Sequence, residues 1–300
     1  MASPIEVILV PTIMILLGVF LRQKGFLKQS DRELLSKIVL YIALPSMIFI
    51  NLHDTHISQN MLFLPVLGFA LTCILLCIAY LYCRFKNYSK KTTWTIMIAA
   101  SIMNTGFIGF PVSLGVFGNE GFVNAVFYDL ATSTWVVLYG VILASKFGGD
   151  RKEALKKALT FTPVWAVIFA LIFNVFNIPL IYVVENTLNY FGQATIPLIM
   201  LSLGLSLDFG NVRQYISPSI AVAVIKLVIA PLIMLGMVSA FRISGMAFNI
   251  AILEAGMSTA GNALVLAIEY GLDADMMGSI TFTNVVLSVF TLTAIISFLA

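Results

Sequence analysis

The chain has 300 residues, 60% of them hydrophobic and only 10% charged, with a net charge of +3. An ordinary soluble domain carries roughly 25% charged residues, so this composition excludes a water-soluble fold and makes lipid the solvent. The basic excess falls in short clusters between apolar runs, which speaks for membrane topology and against a nucleic-acid partner.

Apolar runs able to cross a hydrocarbon core about 30 Å thick predict spans near 3–21, 31–52, 61–83, 92–118, 122–145, 160–178, 181–207, 215–241, 246–270 and 274–299. The expected fold class is all-α integral membrane with ten transmembrane helices. Arg22, Lys24 and Lys28 follow the first run rather than precede it, the reverse of a cleaved leader. After the second span, His53, Asp54 and His56 read as a solvated loop. Cys73, Cys77 and Cys83 share one apolar segment, which suits buried small side chains rather than a zinc site or a disulfide framework.

The fourth span contains Asn104-Thr105-Gly106-Phe107-Ile108-Gly109-Phe110-Pro111. Pro111 removes a backbone donor and the glycines favour unwinding, so an interruption is expected there. The fifth carries Asp129 about two turns inside. Residues Lys146 to Lys157 form a polar connection at mid-chain, with Gly148 and Gly149. The eighth span holds Lys226 far from either end. The ninth reads Glu254-Ala255-Gly256-Met257-Ser258-Thr259-Ala260-Gly261-Asn262, a second interruption. Glu269, Asp273 and Asp275, at its far end, read as interfacial. Asn284 in the tenth stands near the place equivalent to Asp129.

Prolines recur in register: Pro11 and Pro163, Pro45 and Pro197, Pro65 and Pro218, with residues 101–121 aligning on 255–275. This spacing predicts an internal duplication, residues 1–147 and 160–300 joined by a cytoplasmic linker at 148–159. Five spans per copy is an odd number, so the second copy enters the membrane from the opposite side, an inverted-topology repeat. With the N-terminus outside, inner loops collect five Lys and Arg between Arg22 and Lys37, four between Arg84 and Lys91, five between Lys146 and Lys157, and Arg213. Only Arg242 falls outside. Both termini are therefore expected on the extracytoplasmic side of the cell membrane.

Irregular backbone in hydrocarbon survives where it lines a cavity or binds a solute. Half-helix N-termini would offer amide donors to an anion, which marks Asn104, Thr105, Gly106, Gly109, Pro111, Gly261 and Asn262 as substrate-binding candidates. Lys226 joins them as a cation facing either Glu254 or an anionic substrate. Freed carbonyls and side-chain oxygens suit a coupling cation. Glu254 is the leading candidate, since a carboxylate inside an apolar span is costly unless paired, protonated or cation-bound. Ser258, Thr259, Asp129 and Asn284 accompany it. The sequence holds no HExxH or GxSxG stretch, and no enzymatic activity is expected.

The stretch from Asn104 to Pro111, with Phe117-Gly118 and Ala125 to Asp129, resembles the first crossover of the auxin efflux carrier family. Ala43-Leu44-Pro45 with Ile48-Phe49, and Leu266-Ala267 with Tyr270-Gly271, fit the same pattern. The resemblance implies crossed broken helices 4 and 9, a scaffold of spans 1, 2, 6 and 7, and a transport domain of spans 3–5 and 8–10. It further implies elevator-like alternating access, a small organic anion such as malonate, malate or the auxin carboxylate as cargo, and a homodimer joined through the scaffold. Glu254-Ala255-Gly256-Met257 is similar instead to a stretch of the sodium/bile-acid symporters. That likeness implies a sodium ion at Glu254, Ser258 and Asn104, with the Met257 carbonyl and Thr105 contributing. No other cofactor is expected.

Overall fold

The computed structural model describes residues 4–206 and 213–299, so the expected span ends at residues 3 and 207 and the last residue of the second half lie outside the described residues. Every element is helical, apart from one isolated antiparallel bridge among the described residues. This is what lipid demands, because a helix satisfies its own backbone groups.

In chain order, α1 is Pro4–Gln23, α2 is Asp31–His53, α3 is Gln59–Phe85 and α4 is Lys90–Ser101. The helical stretch Thr105–Phe147 turns at Gly118, whose φ of 65° and ψ of −159° divide it into α5 (residues 105–117) and α6 (residues 119–147). Then come α7 Arg151–Leu159, α8 Thr162–Val175, α9 Tyr182–Ser206, α10 Ile216–Ala240, α11 Met246–Ala255, α12 Gly261–Glu269 and α13 Ala274–Leu299. Six of these stretches are long and apolar enough to cross a membrane, and Leu9–Gln23, Thr162–Val175 and Met246–Ala255 are shorter apolar helices. The chain is a multi-pass membrane protein. Exposed side chains such as Leu62, Val66, Leu232 and Phe290 face a lipid solvent.

The polar connection expected at 148–159 is mostly helix: Gly148 (φ 92°) and Gly149 (φ 147°) make the turn, and α7 follows. Three π-helical turns, Val39–Ala43, Thr105–Gly109 and Val224–Ile229, each end two residues before a proline: Pro45, Pro111 and Pro231. Proline has no N–H and its ring crowds the carbonyl four residues back, so the hydrogen-bond ladder widens just upstream.

Helices α1, α2, α8 and α9 pack chiefly on one another, while α3 to α6 and α10 to α13 form the other group. The tightest crossing in the first group is α1 on α9. A β-carbon on Gly18 would lie 2.6 Å from the Leu201 carbonyl oxygen, and one on Gly204 would lie 2.8 Å from the Gly18 Cα. Small residues there let two backbones touch. Cys83 is buried as expected, whereas Cys77 is exposed, since its face of α3 turns away from the neighbouring helices.

Candidate functional site

The chain leaves helical geometry after Ser101 and again after Ala255. Ile102 (ψ 113°) and Ala260 (ψ 147°) are extended, and the two interruptions lie antiparallel. Asn104 N–H donates to the Ser258 carbonyl at 2.9 Å and Ala260 N–H to the Ile102 carbonyl at 3.2 Å, with Met103 opposite Thr259. The unwinding therefore sits at residues 102–104, upstream of Pro111, which lies just after the π-turn of α5, where its α-helical part begins. Asn104, Ser258 and Thr259 are all buried.

Side chains bond two further backbone carbonyls beside the crossing. Thr259 Oγ1 donates to the Ala99 carbonyl (2.8 Å) and accepts from Asn284 Nδ2 (2.7 Å). Lys226, fully buried in the third π-turn, donates to the Ala100 carbonyl at 3.4 Å. The ammonium thus meets the last turn of α4, the negative end of a helix dipole. Among the described residues no ion pair joins it to Glu254.

Glu254, in the last turn of α11, is fully buried. Its Oε1 accepts from Ser113 Oγ of α5 at 2.8 Å, and its Oε2 has no partner. Gly109 lies flat against the carboxylate, so that a β-carbon there would overlap it. Asp129 is a satisfied group, accepting from Thr105 Oγ1 and, at 2.9 Å, from Ser133 Oγ. Three further atoms at the crossing are buried and unpartnered: Asn104 Nδ2, Ser258 Oγ and Asn284 Oδ1.

The structure thus brings together Asn104, Ser258, Thr259 and Asn284 on one side, and Gly109 with Glu254 on the other. Met257 is buried within the second interruption, Gly106 is half-buried, and Pro111 is buried. Gly261 opens α12, while Asn262 is exposed rather than enclosed with Asn104. Two residues escape the sequence reading. Ser113 gives no local signal beyond being one helical turn past Gly109. Arg32 of α2 resembles any other basic interfacial residue, yet its guanidinium lies 3.8 Å from where a Gly261 β-carbon would sit. It has no carboxylate partner among the described residues. Asp273, expected to be merely interfacial, accepts from Met276 N–H at 3.0 Å and so caps the start of α13.

What these features can do chemically is hold a small polar solute. Neighbouring helix breaks, buried donors without partners and a buried carboxylate, inside a multi-pass helical protein, define a membrane transporter. The comparisons agree. The chain belongs to the membrane transport protein family, the auxin efflux carrier family, which matches residues 5–296. It is 35% identical over 289 residues to an uncharacterized transporter of Methanothermobacter thermautotrophicus, covering 96% of this chain and 95% of that one. It is also 33% identical over 294 residues to an uncharacterized transporter of Methanocaldococcus jannaschii, covering 95% of each. The protein is a transporter and not an enzyme.

Proposed function

We propose that the chain is a secondary active transporter that carries a small organic anion through the cell membrane by elevator-like alternating access. Its ten crossings are α1, α2, α3, the broken pair α4–α5, α6, α8, α9, α10, the broken pair α11–α12, and α13. Residues 1–147 and 160–300 are two inverted five-helix repeats, which makes the pairs helices 4 and 9. Spans 1, 2, 6 and 7 form the scaffold, spans 3–5 and 8–10 the moving domain, and the termini lie outside. The grouping of helix contacts supports this division, as does the bias of Lys and Arg toward one set of loops. Scaffold pairing in a homodimer completes the reading.

One observation carries it: the bridge between Met103 and Thr259 leaves Asn104 Nδ2 a buried donor without an acceptor. An unmet donor in a dry site is costly, and a substrate carboxylate would satisfy it. The N-terminus of α12, in the moving domain, and Arg32, from the scaffold helix α2, add positive potential. The test is counterflow of labelled malonate or malate in proteoliposomes. Saturable exchange that falls at least roughly tenfold in Asn104→Ala, the loss of about 1.4 kcal/mol, supports the reading. Exchange that is unsaturable, or indifferent to that substitution, refutes it.

A second reading concerns coupling. Glu254 Oε2 and Ser258 Oγ are buried oxygens without partners, the donor type a sodium ion or a proton requires. Asn104 has its amide nitrogen buried without an acceptor, which favours an anion over a cation as its ligand. Thermal stability in sodium against potassium at fixed ionic strength separates the cases: a sodium-specific rise favours sodium, and equal curves with a pH-dependent uptake favour the proton.

A further inference from the structure

Where α3 ends and α4 begins, Asn87 takes a left-handed turn (φ 54°), and beside it opens a cleft of about 430 Å³ lined by Tyr80, Arg84, Asn87, Tyr88, Lys90 and Trp94. Arg84 and Lys90 give it two cations. Neither has a carboxylate partner among the described residues, and the sequence contains no Asp or Glu between Ile57 and Asn119. Lys90 Nζ stands 5.1 Å from the Phe147 ring centre and Lys146 Nζ 5.4 Å from that of Trp94, so further positive charge is held close by.

The same end of α3 is apolar on its outer side. Tyr80, Leu81 and Phe85 are 47%, 65% and 82% exposed, within one and a half turns of Arg84. An exposed apolar surface running up to a basic, aromatic-lined cleft is the profile of the membrane interface. It matches a molecule that is anionic at one end and hydrocarbon at the other.

We propose that this cleft binds an anionic glycerophospholipid, its phosphate between Arg84 and Lys90 and its acyl chains along Tyr80, Leu81 and Phe85. The site lies on α3 and α4, away from the helix crossing, and stands whatever the cargo is. A lipid there fastens the N-terminal end of α4, the helix whose C-terminal end becomes the interruption at Ile102.

The experiment uses the full chain, purified in a neutral detergent, with phosphatidylglycerol, phosphatidylcholine of the same acyl chains, or inorganic phosphate added. Thermal stability and lipid retained in native mass spectrometry are read. Phosphatidylglycerol is expected to stabilise and be retained over phosphatidylcholine, with affinity falling about fivefold for each basic residue removed in Arg84→Gln and Lys90→Gln. Lys24→Gln with Lys28→Gln, at a different loop, should leave it unchanged, and Arg84→Lys with Lys90→Arg should retain most of it. Equal binding of the two lipids by the unaltered protein overturns the proposal without recourse to any variant. So does a stabilisation fully reproduced by inorganic phosphate, which would make this a free-anion site, or undiminished binding by the Gln variants.

Discussion

Gly109 and Glu254 meet so closely that only a hydrogen atom fits between the α5 backbone and the carboxylate. The contact spans the two interrupted helix pairs, because Gly109 ends the π-turn after the first break and Glu254 precedes the second. Gly109→Ala adds a methyl group where Ser113 already fixes the carboxyl. Overpacking of this kind costs about 1–3 kcal/mol, more than the helix propensity gained, about 1 kcal/mol. The expected result is a lower melting temperature and defective uptake. Gly106→Ala is the control, since nothing lies within 4 Å of its missing β-carbon, and it should fold and melt at or above the temperature of the parent. Identical behaviour of the two variants would show that the contact has no functional consequence.

Glu254→Gln tests what the carboxyl holds. The amide keeps an oxygen for Ser113 and removes a buried ionisable group, so the fold is expected to survive with unchanged or raised stability. What should vanish is the dependence of uptake on its coupling ion. Uptake by the variant is therefore measured across pH and across sodium concentration. A response as steep as the parent's on both axes would place coupling elsewhere.

The crossing of α1 and α9 permits a prediction about stability alone. Gly204→Val would push a branched side chain against the Ile15 carbonyl and the Gly18 Cα, and Arg22 Nη1, bonded to the Leu205 carbonyl at 3.0 Å, limits how far the helices can part. A loss of about 1–3 kcal/mol is expected, read as a lower melting temperature. Carboxylate-induced stabilisation should largely persist, because the interruptions lie in the second helix group and Arg32 alone is assigned to the anion site from the first. Loss of ligand response at temperatures where the protein is still folded would contradict that separation.

Much of the helix order was legible in the sequence, because long apolar runs and Lys/Arg-rich loops report directly on lipid and water. Gly118 ends one predicted span, and a turn is found there. The depth of the breaks was less legible. Pro111 drew attention to its own position, but its ring crowds the Phe107 carbonyl within the π-turn, and the unwound residues, Ile102 to Asn104, lie further upstream. Lys226 and Glu254 were recognisable as charges inside apolar spans, yet their partners were not. Lys226 reaches the end of α4 and Glu254 reaches Ser113, contacts that join residues 126 and 141 positions apart and leave no local periodicity to read. Asn262 was expected beside Asn104 in the anion site. Asn104 follows the bridge residue Met103 in the non-helical stretch, whereas Asn262 is one residue inside a helix and exposed.

Arg32 gives the sharpest test of the anion reading. Its guanidinium lies beside Gly261 at the start of α12, so a carboxylate there would meet both a fixed cation and first-turn N–H groups without intrahelical partners. A hydrogen bond to a charged group contributes about 1.5–3 kcal/mol, so Arg32→Gln is expected to weaken carboxylate binding by at least roughly tenfold. Lys37→Gln is the matched control, because Lys37 is exposed on the same helix and already paired with Glu33 at 2.7 Å. Both variants should express and melt alike. Binding followed by carboxylate-dependent thermal shift at two salt concentrations then separates the site from general electrostatics. A specific contact at Arg32 leaves a deficit that persists at high salt, whereas a diffuse field contribution fades once the Debye length falls to about 3 Å at 1 M. An Arg32→Gln variant that binds malonate as tightly as Lys37→Gln would remove α2 from the anion site and return it to structural packing.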